Sequence, residues 1–249
     1  MEPKINEIAC CDALEMLKAL KEGVVNTIIC DPPYFTGMTH NTKEQPALAD
    51  LAICAPFYRE LFRQFNRVLT PDGCVYWFCD WRSQGFYLSV MQECLPVRNM
   101  LVWDKGAGCG NFYTYEHELI LFATKNTRLH CKGARGIIRG IPSFASGARK
   151  SDGDMVHPAQ KPVALISRLI TDSTSEGGTV LDCFMGSGTT AVAARLTGRN
   201  FYGCELQQKY VDVALHRIAK IDAENSPDTS AMKCVPAKDS INRALYTAN

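Results

Sequence analysis

Short apolar runs alternate along the chain with longer amphipathic stretches. Runs of about four to eight apolar residues are typical of buried strands, and apolar residues spaced three and four apart are typical of helices. The short runs predict strands at residues 24–30, 74–79, 100–103, 118–124, 179–183 and 200–205. The helical spacing predicts helices at residues 51–69, 162–171, 189–197 and 207–221. Between the first helix and its next strand, Thr70–Gly73 predicts a turn.

Strands that alternate with helices indicate an α/β fold, in which a mostly parallel sheet is covered by helices on both faces. The 249 residues fit one domain over residues 1–222, with an inserted segment at about 125–156. No periodicity follows Ala223, so residues 223–249 are expected to form a loosely ordered tail.

No part of the pattern predicts a membrane helix or a secretory signal. No run approaches the ~18 consecutive apolar residues of a membrane span, and Met1–Lys4 does not begin an apolar leader. We therefore expect a soluble, cytoplasmic protein.

The charge is distributed unevenly. Lys and Arg number 27 and Asp and Glu number 26, for a net charge of +1, which excludes a protein that is basic all over. Residues 125–150 nevertheless contain no acid, and the rest of the chain has a net charge of −6. The basic residues of this segment are Lys125, Arg128, Lys132, Arg135, Arg139, Arg149 and Lys150. A charge run is most often a solvated loop, but the absence of acid favours an anion-binding surface.

The 12 cysteines include no pair with the C-x-x-C spacing that is common in zinc sites and thioredoxin-like proteins. Most lie in apolar runs, as Cys30 and Cys79 do. Buried, reduced thiols of this kind are typical of cytosolic proteins. We expect no metal site.

Asp31-Pro32-Pro33-Tyr34 directly follows the predicted strand 24–30. Ligands of parallel sheets bind beyond the carboxyl ends of strands, and proline donates no backbone N–H. The turn therefore offers carbonyl and carboxylate acceptors together with an aromatic ring, which suits the exocyclic amino group of a base. A rigid turn with a solvated Asp31 is an equally good interpretation.

A second candidate, residues 180–190, has the order strand, glycine-rich turn, helix. Gly186 and Gly188 allow a ligand to approach the backbone closely. Ala191 replaces the third glycine of the dinucleotide motif, and the lysine of a phosphate-binding loop is missing, so nucleotide phosphate binding is disfavoured. Glu205 ends the next predicted strand, where an acid is placed to accept ribose hydroxyls. The alternative is a turn whose glycines serve packing.

Four motifs together resemble S-adenosylmethionine-dependent amino-methyltransferases that act on DNA. They are D-P-P-Y at residues 31–34, R-V-L-T-P-D-G at 67–73, H-P-A-Q-K-P at 157–162 and D-C-F-M-G-S-G-T-T at 182–190. The catalytic motif precedes the cofactor loop, which is the order of the β group of this family. The resemblance covers roughly residues 5–220 and implies a Rossmann-like methyltransferase fold.

The resemblance also implies roles for single residues. Asp31 and the Pro32 carbonyl hold the target amino group, and Tyr34 stacks on the base. The implied catalytic residues are Asp31, Pro32, Pro33 and Tyr34. The implied cofactor-binding residues are Asp12, His157, Lys161, Asp182, Phe184, Gly186, Ser187, Gly188, Thr189 and Glu205.

Three of these cofactor contacts are more specific. The resemblance places Lys161 near the methionine carboxylate, Glu205 at the ribose hydroxyls and Asp12 near the adenine. Asp12 fits equally well as the N-cap of a helix over residues 13–21.

The implied reaction is direct displacement of the cofactor's methyl group by the N6 amine of adenine in double-stranded DNA, on a flipped base. The loop at 35–50 is a candidate lid and equally a plain surface loop. The seven basic residues of 125–150 become the implied DNA contacts. Residues 103–105 and 117–118 resemble the strand pair that flanks the site and are expected to be structural. A homodimer and a restriction endonuclease are candidate partners, and the source is a bacterium or a phage.

Four alternatives remain open at this point. The same chemistry on cytosine N4 is the nearest one. A protein glutamine methyltransferase is disfavoured because that family has Asn before Pro-Pro-Tyr and lacks a basic insert. The others are a DNA-binding protein without activity and a nicotinamide dehydrogenase.

Overall fold

A computed structural model of the chain describes residues 2–33, 51–108, 112–125, 129–131, 133–143 and 160–224. Within these ranges eight strands form one sheet in the order β1-β8-β7-β2-β3-β5-β4-β6. The strands are β1 (Glu7–Cys10), β2 (Val25–Cys30), β3 (Leu69–Cys79), β4 (Val97–Asp104), β5 (His117–Thr124), β6 (Ile137–Ile138), β7 (Thr179–Asp182) and β8 (Asn200–Glu205).

Six helices within the described ranges pack against this sheet. They are α1 (Ala13–Ala19), α2 (Leu51–Val68), α3 (Gln84–Gln92), α4 (Val163–Ser173), α5 (Thr189–Leu196) and α6 (Gln208–Glu224). Successive strand residues point to opposite faces, so two apolar layers form. One layer joins the sheet to α1, α2 and α3, and the other joins it to α4, α5 and α6. The predicted α/β fold with helices on both faces is confirmed.

The sheet is mostly parallel, as predicted. Only β5, among the strands described, runs antiparallel to its neighbours β3 and β4. The other pairs, including β2 with β3 and with β7, are parallel. The carboxyl ends of β1, β2, β3, β4, β7 and β8 therefore meet at one edge together with the start of β5, and we call this the carboxyl edge.

The largest apolar group surrounds Trp77 of β3, which is fully buried. The rings of Tyr58, Phe62 and Tyr87 pack against it with centroids 5.0 to 5.9 Å away. These rings come from α2 and α3, so the cluster fixes both helices on the strand that borders β2. Because Trp77 lies opposite Cys30 in the sheet, the cluster packs beside the end of β2.

The predicted turn at 70–73 was wrong, because these residues lie within β3, which begins at Leu69. The pairing with β2 does jump there, from Val25 opposite Leu69 to Thr27 opposite Cys74. The Thr124 hydroxyl donates to the Gly73 carbonyl at 3.0 Å. This long-range bond holds the irregular stretch within the sheet.

Three elements were not predicted from the pattern: β1, α3 and β6. β1 has four residues and β6 has two, too few for a period to show. The predicted helix at 207–221 extends to Glu224, and the rest of the predicted tail lies outside the described residues. No helix in the described ranges is long and apolar enough to cross a bilayer.

Candidate active site

The carboxyl edge gathers the charged residues of the proposed motifs. Asp31 follows β2, Asp182 ends β7 and Glu205 ends β8. These three strands are neighbours in the order β8-β7-β2. The fold thus brings both motifs to one place, although 151 residues separate Asp31 from Asp182.

Asp31 is held by a buried lysine. The Lys161 ammonium lies 2.6 Å from Asp31 Oδ2, and the Lys161 side chain is only 9% exposed. Lys161 stands just before α4, whose N-cap is Pro162. Pro32 is buried and Pro33 is exposed, while Tyr34 and the candidate lid at 35–50 lie outside the described residues.

Lys161 also contacts a second acid. Its Nζ lies 3.2 Å from Glu118 Oε2, and the other oxygen of Glu118 lies 3.6 Å from Lys105 Nζ. Burial lowers the pKa of Lys161, but Asp31 and Glu118 raise it by more, and it lies above its ordinary value. The side chain is therefore a buried cation at neutral pH.

The glycine-rich turn after β7 is organised by Asp182. Its Oδ1 accepts from the Phe184 backbone N–H at 2.9 Å, and its Oδ2 accepts from the Thr190 hydroxyl at 2.6 Å. Burial raises the pKa of Asp182 to about 7, although both hydrogen bonds act in the opposite direction. Asp182 thus joins the turn to the first residues of α5.

Glu205 fixes the same turn from β8. Its two carboxylate oxygens accept from the backbone N–H groups of Gly186 at 3.0 Å and Gln207 at 2.9 Å. Each carboxylate oxygen can accept a further hydrogen bond. Gly186 has φ +51°, and a Cβ there would meet nothing nearer than the Phe184 carbonyl at 3.9 Å. The turn therefore opens onto free space at this glycine.

Gly188 is needed for a different reason. It has φ +85°, and a Cβ would lie 2.6 Å from Ala214 Cβ on α6. Arg217 on α6 also donates to the Ser187 carbonyl at 2.7 Å and reaches the Thr189 hydroxyl at 3.3 Å. The packing interpretation of the glycines is therefore correct for Gly188, because the missing side chain lets α6 approach the turn.

Asp12 is the N-cap of α1. Its Oδ1 accepts from the backbone N–H groups of Leu14 at 2.8 Å and Glu15 at 3.4 Å, which is the alternative role weighed for it. Phe184 is half-buried, and its ring lies 5.9 Å from that of Trp77. His157 lies outside the described residues.

The described residues of the basic segment lie at both edges of the sheet. Lys125 follows antiparallel β5, and its Nζ donates to the Leu69 carbonyl at 3.1 Å, at the edge opposite Asp31. Arg139 follows β6, which runs parallel to β4, and lies 3.9 Å from Asp104 at the carboxyl edge. Between them, the Arg135 carbonyl accepts from Arg168. Four members lie outside the described residues: Arg128, Lys132, Arg149 and Lys150.

Glu118 and Lys105 were expected to be structural, yet they belong to the charge cluster at Asp31. Exposed aromatic residues at the carboxyl edge were also missed. Phe112 is 98% and Tyr113 is 91% exposed, both between β4 and β5. An adjacent pair of aromatic residues in a stretch rich in glycine was the signal that could have identified them.

A cavity of about 720 Å³ opens on the α4 face, between β4, β5 and β6. Its described lining includes Tyr76, Phe122 and Arg135 but no motif residue. The cavity is therefore separate from the cluster of motif residues at the carboxyl edge.

The residues at the glycine turn fit S-adenosylmethionine. The gap at Gly186 gives a ligand access to backbone, Glu205 offers acceptors for hydroxyl groups, and Phe184 offers an aromatic surface. No group of metal-ligating side chains occurs among the residues that the structure describes.

Comparisons with known proteins identify the family to which the chain is similar. A family model described as DNA methylase, for the N6 and N4 enzymes, matches residues 25–216. The type II methyltransferase M.HpaI of Haemophilus parainfluenzae is 28% identical, over 97% of this chain and 84% of its own length. M.BglII of Bacillus subtilis is 26% identical, over 89% of this chain and 71% of its own length.

Solved structures show the same likeness. The complex of M1.HpyAVI with S-adenosylmethionine is 28% identical, with a TM-score of 0.64, over 85% of this chain and 98% of that one. The cytosine-N4-specific PvuII DNA methyltransferase has a TM-score of 0.70 over 87% of each chain at 16% identity, which concerns the fold alone.

Proposed function

The chain belongs to the DNA methylase family of N6 and N4 amino-methyltransferases, which depend on S-adenosylmethionine, and we propose that it methylates the N6 amine of adenine in double-stranded DNA. The observation that supports this most is the position of Asp31. It stands in an acceptor-rich turn at the end of β2, next to the strand that leads into the glycine turn.

The proposed reaction is a direct displacement. The cofactor supplies a methyl group on a sulfonium; the C–S bond breaks with its electron pair going to sulfur as the N–C bond forms. The amine is a weak nucleophile because its lone pair is delocalised into the ring. Asp31 and the Pro32 carbonyl accept hydrogen bonds from its two N–H groups, which orients the nitrogen and stabilises the positive charge that develops there. A proton then leaves the nitrogen for solvent.

Adenine is favoured over cytosine by the residue before Pro-Pro-Tyr. Asp31 is a carboxylate, whereas a serine at this position is the pattern associated with cytosine N4 in this family. Cytosine N4 remains the second candidate, since the cytosine-N4-specific PvuII enzyme shares the fold.

We also propose the cofactor contacts on geometric grounds. Gly186 gives access to the backbone, Phe184 borders the cofactor, and Glu205 accepts the ribose hydroxyls while it holds the turn. Asp182 lies beside the methionine part. Contacts through Asp12, His157, Lys161, Ser187 and Thr189 follow from the resemblance, whereas we assign Gly188 to packing against α6.

DNA is proposed to bind across the carboxyl edge. Arg139 is 66% exposed there, and the exposed rings of Phe112 and Tyr113 offer surfaces for bases or sugars. A flipped base would enter beside Asp31. A type II system would pair the enzyme with an endonuclease of the same specificity, and a homodimer is a further candidate assembly.

The experiment is transfer of labelled methyl groups from S-adenosylmethionine to duplex DNA by the wild type and by Asp31→Ala. We expect the variant to lose transfer while its cofactor affinity, measured by calorimetry, stays within about threefold. The reason is that Asp31 faces the amine and the glycine turn holds the cofactor. Loss of both properties together would make Asp31 a cofactor residue and contradict the assignment.

A further inference from the structure

Four charges of alternating sign form a chain at the carboxyl edge. Lys161 Nζ lies 2.6 Å from Asp31 Oδ2 and 3.2 Å from Glu118 Oε2. Lys105 Nζ lies 3.6 Å from Glu118 Oε1. The four residues come from the end of β2, the approach to α4, the start of β5 and the end of β4, so only the folded sheet brings them together.

The centre of this chain is buried. Lys161 is 9% exposed and Glu118 is 17% exposed, and the ammonium lies 5.3 Å from the centroid of the Phe78 ring. A buried cation is stable only when opposite charges compensate it closely. The Lys161 ammonium contacts two carboxylates, those of Asp31 and Glu118.

The sharing matters for the amine that the proposed function places at Asp31. Positive charge develops on the nitrogen during transfer, and a negative environment favours that change. Lys161 with Asp31 alone would form a neutral pair and weaken the carboxylate as an acceptor. Glu118 adds a second negative charge beside Lys161, so that two carboxylates compensate the ammonium and Asp31 stays a stronger acceptor for the amine.

We propose that Glu118 is a positioning residue for methyl transfer, which acts on Asp31 through Lys161. It contacts the ammonium at 3.2 Å, and through that contact it fixes the orientation of the Asp31 carboxylate and preserves its negative charge. The role rests on the proposed function and adds to it a residue that does not touch the substrate.

The test compares Glu118→Gln with Glu116→Gln. Glutamine keeps the shape and one acceptor but removes the charge. We expect Glu118→Gln to lower kcat about 10- to 100-fold, while the Kd values for S-adenosylmethionine and DNA change less than about threefold. Glu116 is exposed and accepts from the Thr114 hydroxyl, so Glu116→Gln should keep the wild-type kcat. An unchanged kcat in Glu118→Gln overturns the proposal.

A double-mutant cycle separates positioning from general loss of structure. If Glu118 acts through Lys161, then Glu118→Gln should lower kcat by less than about twofold in a Lys161→Met background. An equal fall in both backgrounds overturns the proposal. Glu118→Asp keeps the charge and should recover part of kcat; a variant no better than Glu118→Gln would also contradict it.

Failure of this proposal is distinguishable from failure of the proposed function. A wild-type protein that transfers no methyl group to DNA refutes the proposed function. A wild type that methylates DNA, with a Glu118→Gln variant that does so equally fast, refutes only the role of Glu118.

Discussion

Two aspartates at the carboxyl edge differ in their partners and hence in their charge. Asp31 faces the Lys161 ammonium at 2.6 Å, which stabilises the ionised carboxylate. Asp182 is buried and accepts from a hydroxyl and a backbone N–H, both uncharged. One acid is thus suited to stabilise positive charge, and the other to hold the turn after β7.

The state of Asp182 gives stability a definite pH dependence. Its folded pKa of about 7 lies above the ordinary aspartate value of 3.8, so between these two pH values the folded state binds more protons than the unfolded state. The free energy of unfolding should therefore fall as pH rises from about 4 to about 7. Urea unfolding of Asp182→Asn, which resembles the protonated acid, should show a smaller fall than wild type. Equal slopes for the two proteins would contradict the assignment.

Alanine substitutions at the two glycines of the turn, Gly186 and Gly188, should differ in their cost to stability. Gly188→Ala should lower the free energy of unfolding by about 3 kcal/mol, because it combines a left-handed backbone with a clash against Ala214. Gly186→Ala has space for its Cβ and should cost only about 1 kcal/mol. Chemical denaturation measures both changes.

For cofactor affinity we expect the opposite order, with the larger loss in Gly186→Ala. Gly186 borders the proposed cofactor space, so Gly186→Ala should weaken binding of S-adenosylmethionine at least about tenfold. Calorimetry on the folded Gly188→Ala protein should show the smaller effect. If Gly188→Ala loses more affinity than Gly186→Ala, the assignment of packing to one glycine and access to the other is wrong.

At the residue scale, the sequence predicted what depends on neighbours in the chain. The positions of Asp31 and Gly186 follow from a strand that ends in a turn. The partners of Lys161 were not predictable, since 130 residues separate it from Asp31 and only strand order brings them together. Glu118 was missed for the same reason.

At the scale of elements, the direction of β5 decides what the basic segment can reach. Because β5 is antiparallel, Lys125 begins the segment at the edge away from Asp31. β6 then runs parallel to β4 and carries Arg139 to the carboxyl edge. An apolar run predicts a strand but not its direction. For this reason all seven basic residues were given the same predicted role in DNA binding.

The two ends of the segment should therefore differ in DNA binding. Arg139→Ala should weaken binding to duplex DNA and reduce the slope of log K against log salt by about 1, as expected when one phosphate contact is lost. Lys125→Ala, which removes a bond to the Leu69 carbonyl, should leave the slope unchanged. Fluorescence anisotropy at several salt concentrations measures both slopes. A larger effect for Lys125 would place the DNA on the opposite edge.

At the scale of the whole molecule, the sheet order explains how motifs far apart in sequence form one site. Neighbouring strands β8, β7 and β2 supply Glu205, Asp182 and Asp31. The net charge of +1 conceals a basic segment joined to an acidic body. That division suits an enzyme that meets DNA at one edge and whose cofactor has no phosphate.

The most direct test of the account identifies the methylated base. Duplex DNA is incubated with the protein and S-adenosylmethionine, digested to nucleosides and analysed by mass spectrometry, with Asp31→Ala as the control. We predict N6-methyladenine from the wild type and none from the variant. N4-methylcytosine in its place would contradict the assignment of the base, and the absence of any methylated nucleoside would contradict the proposed function itself.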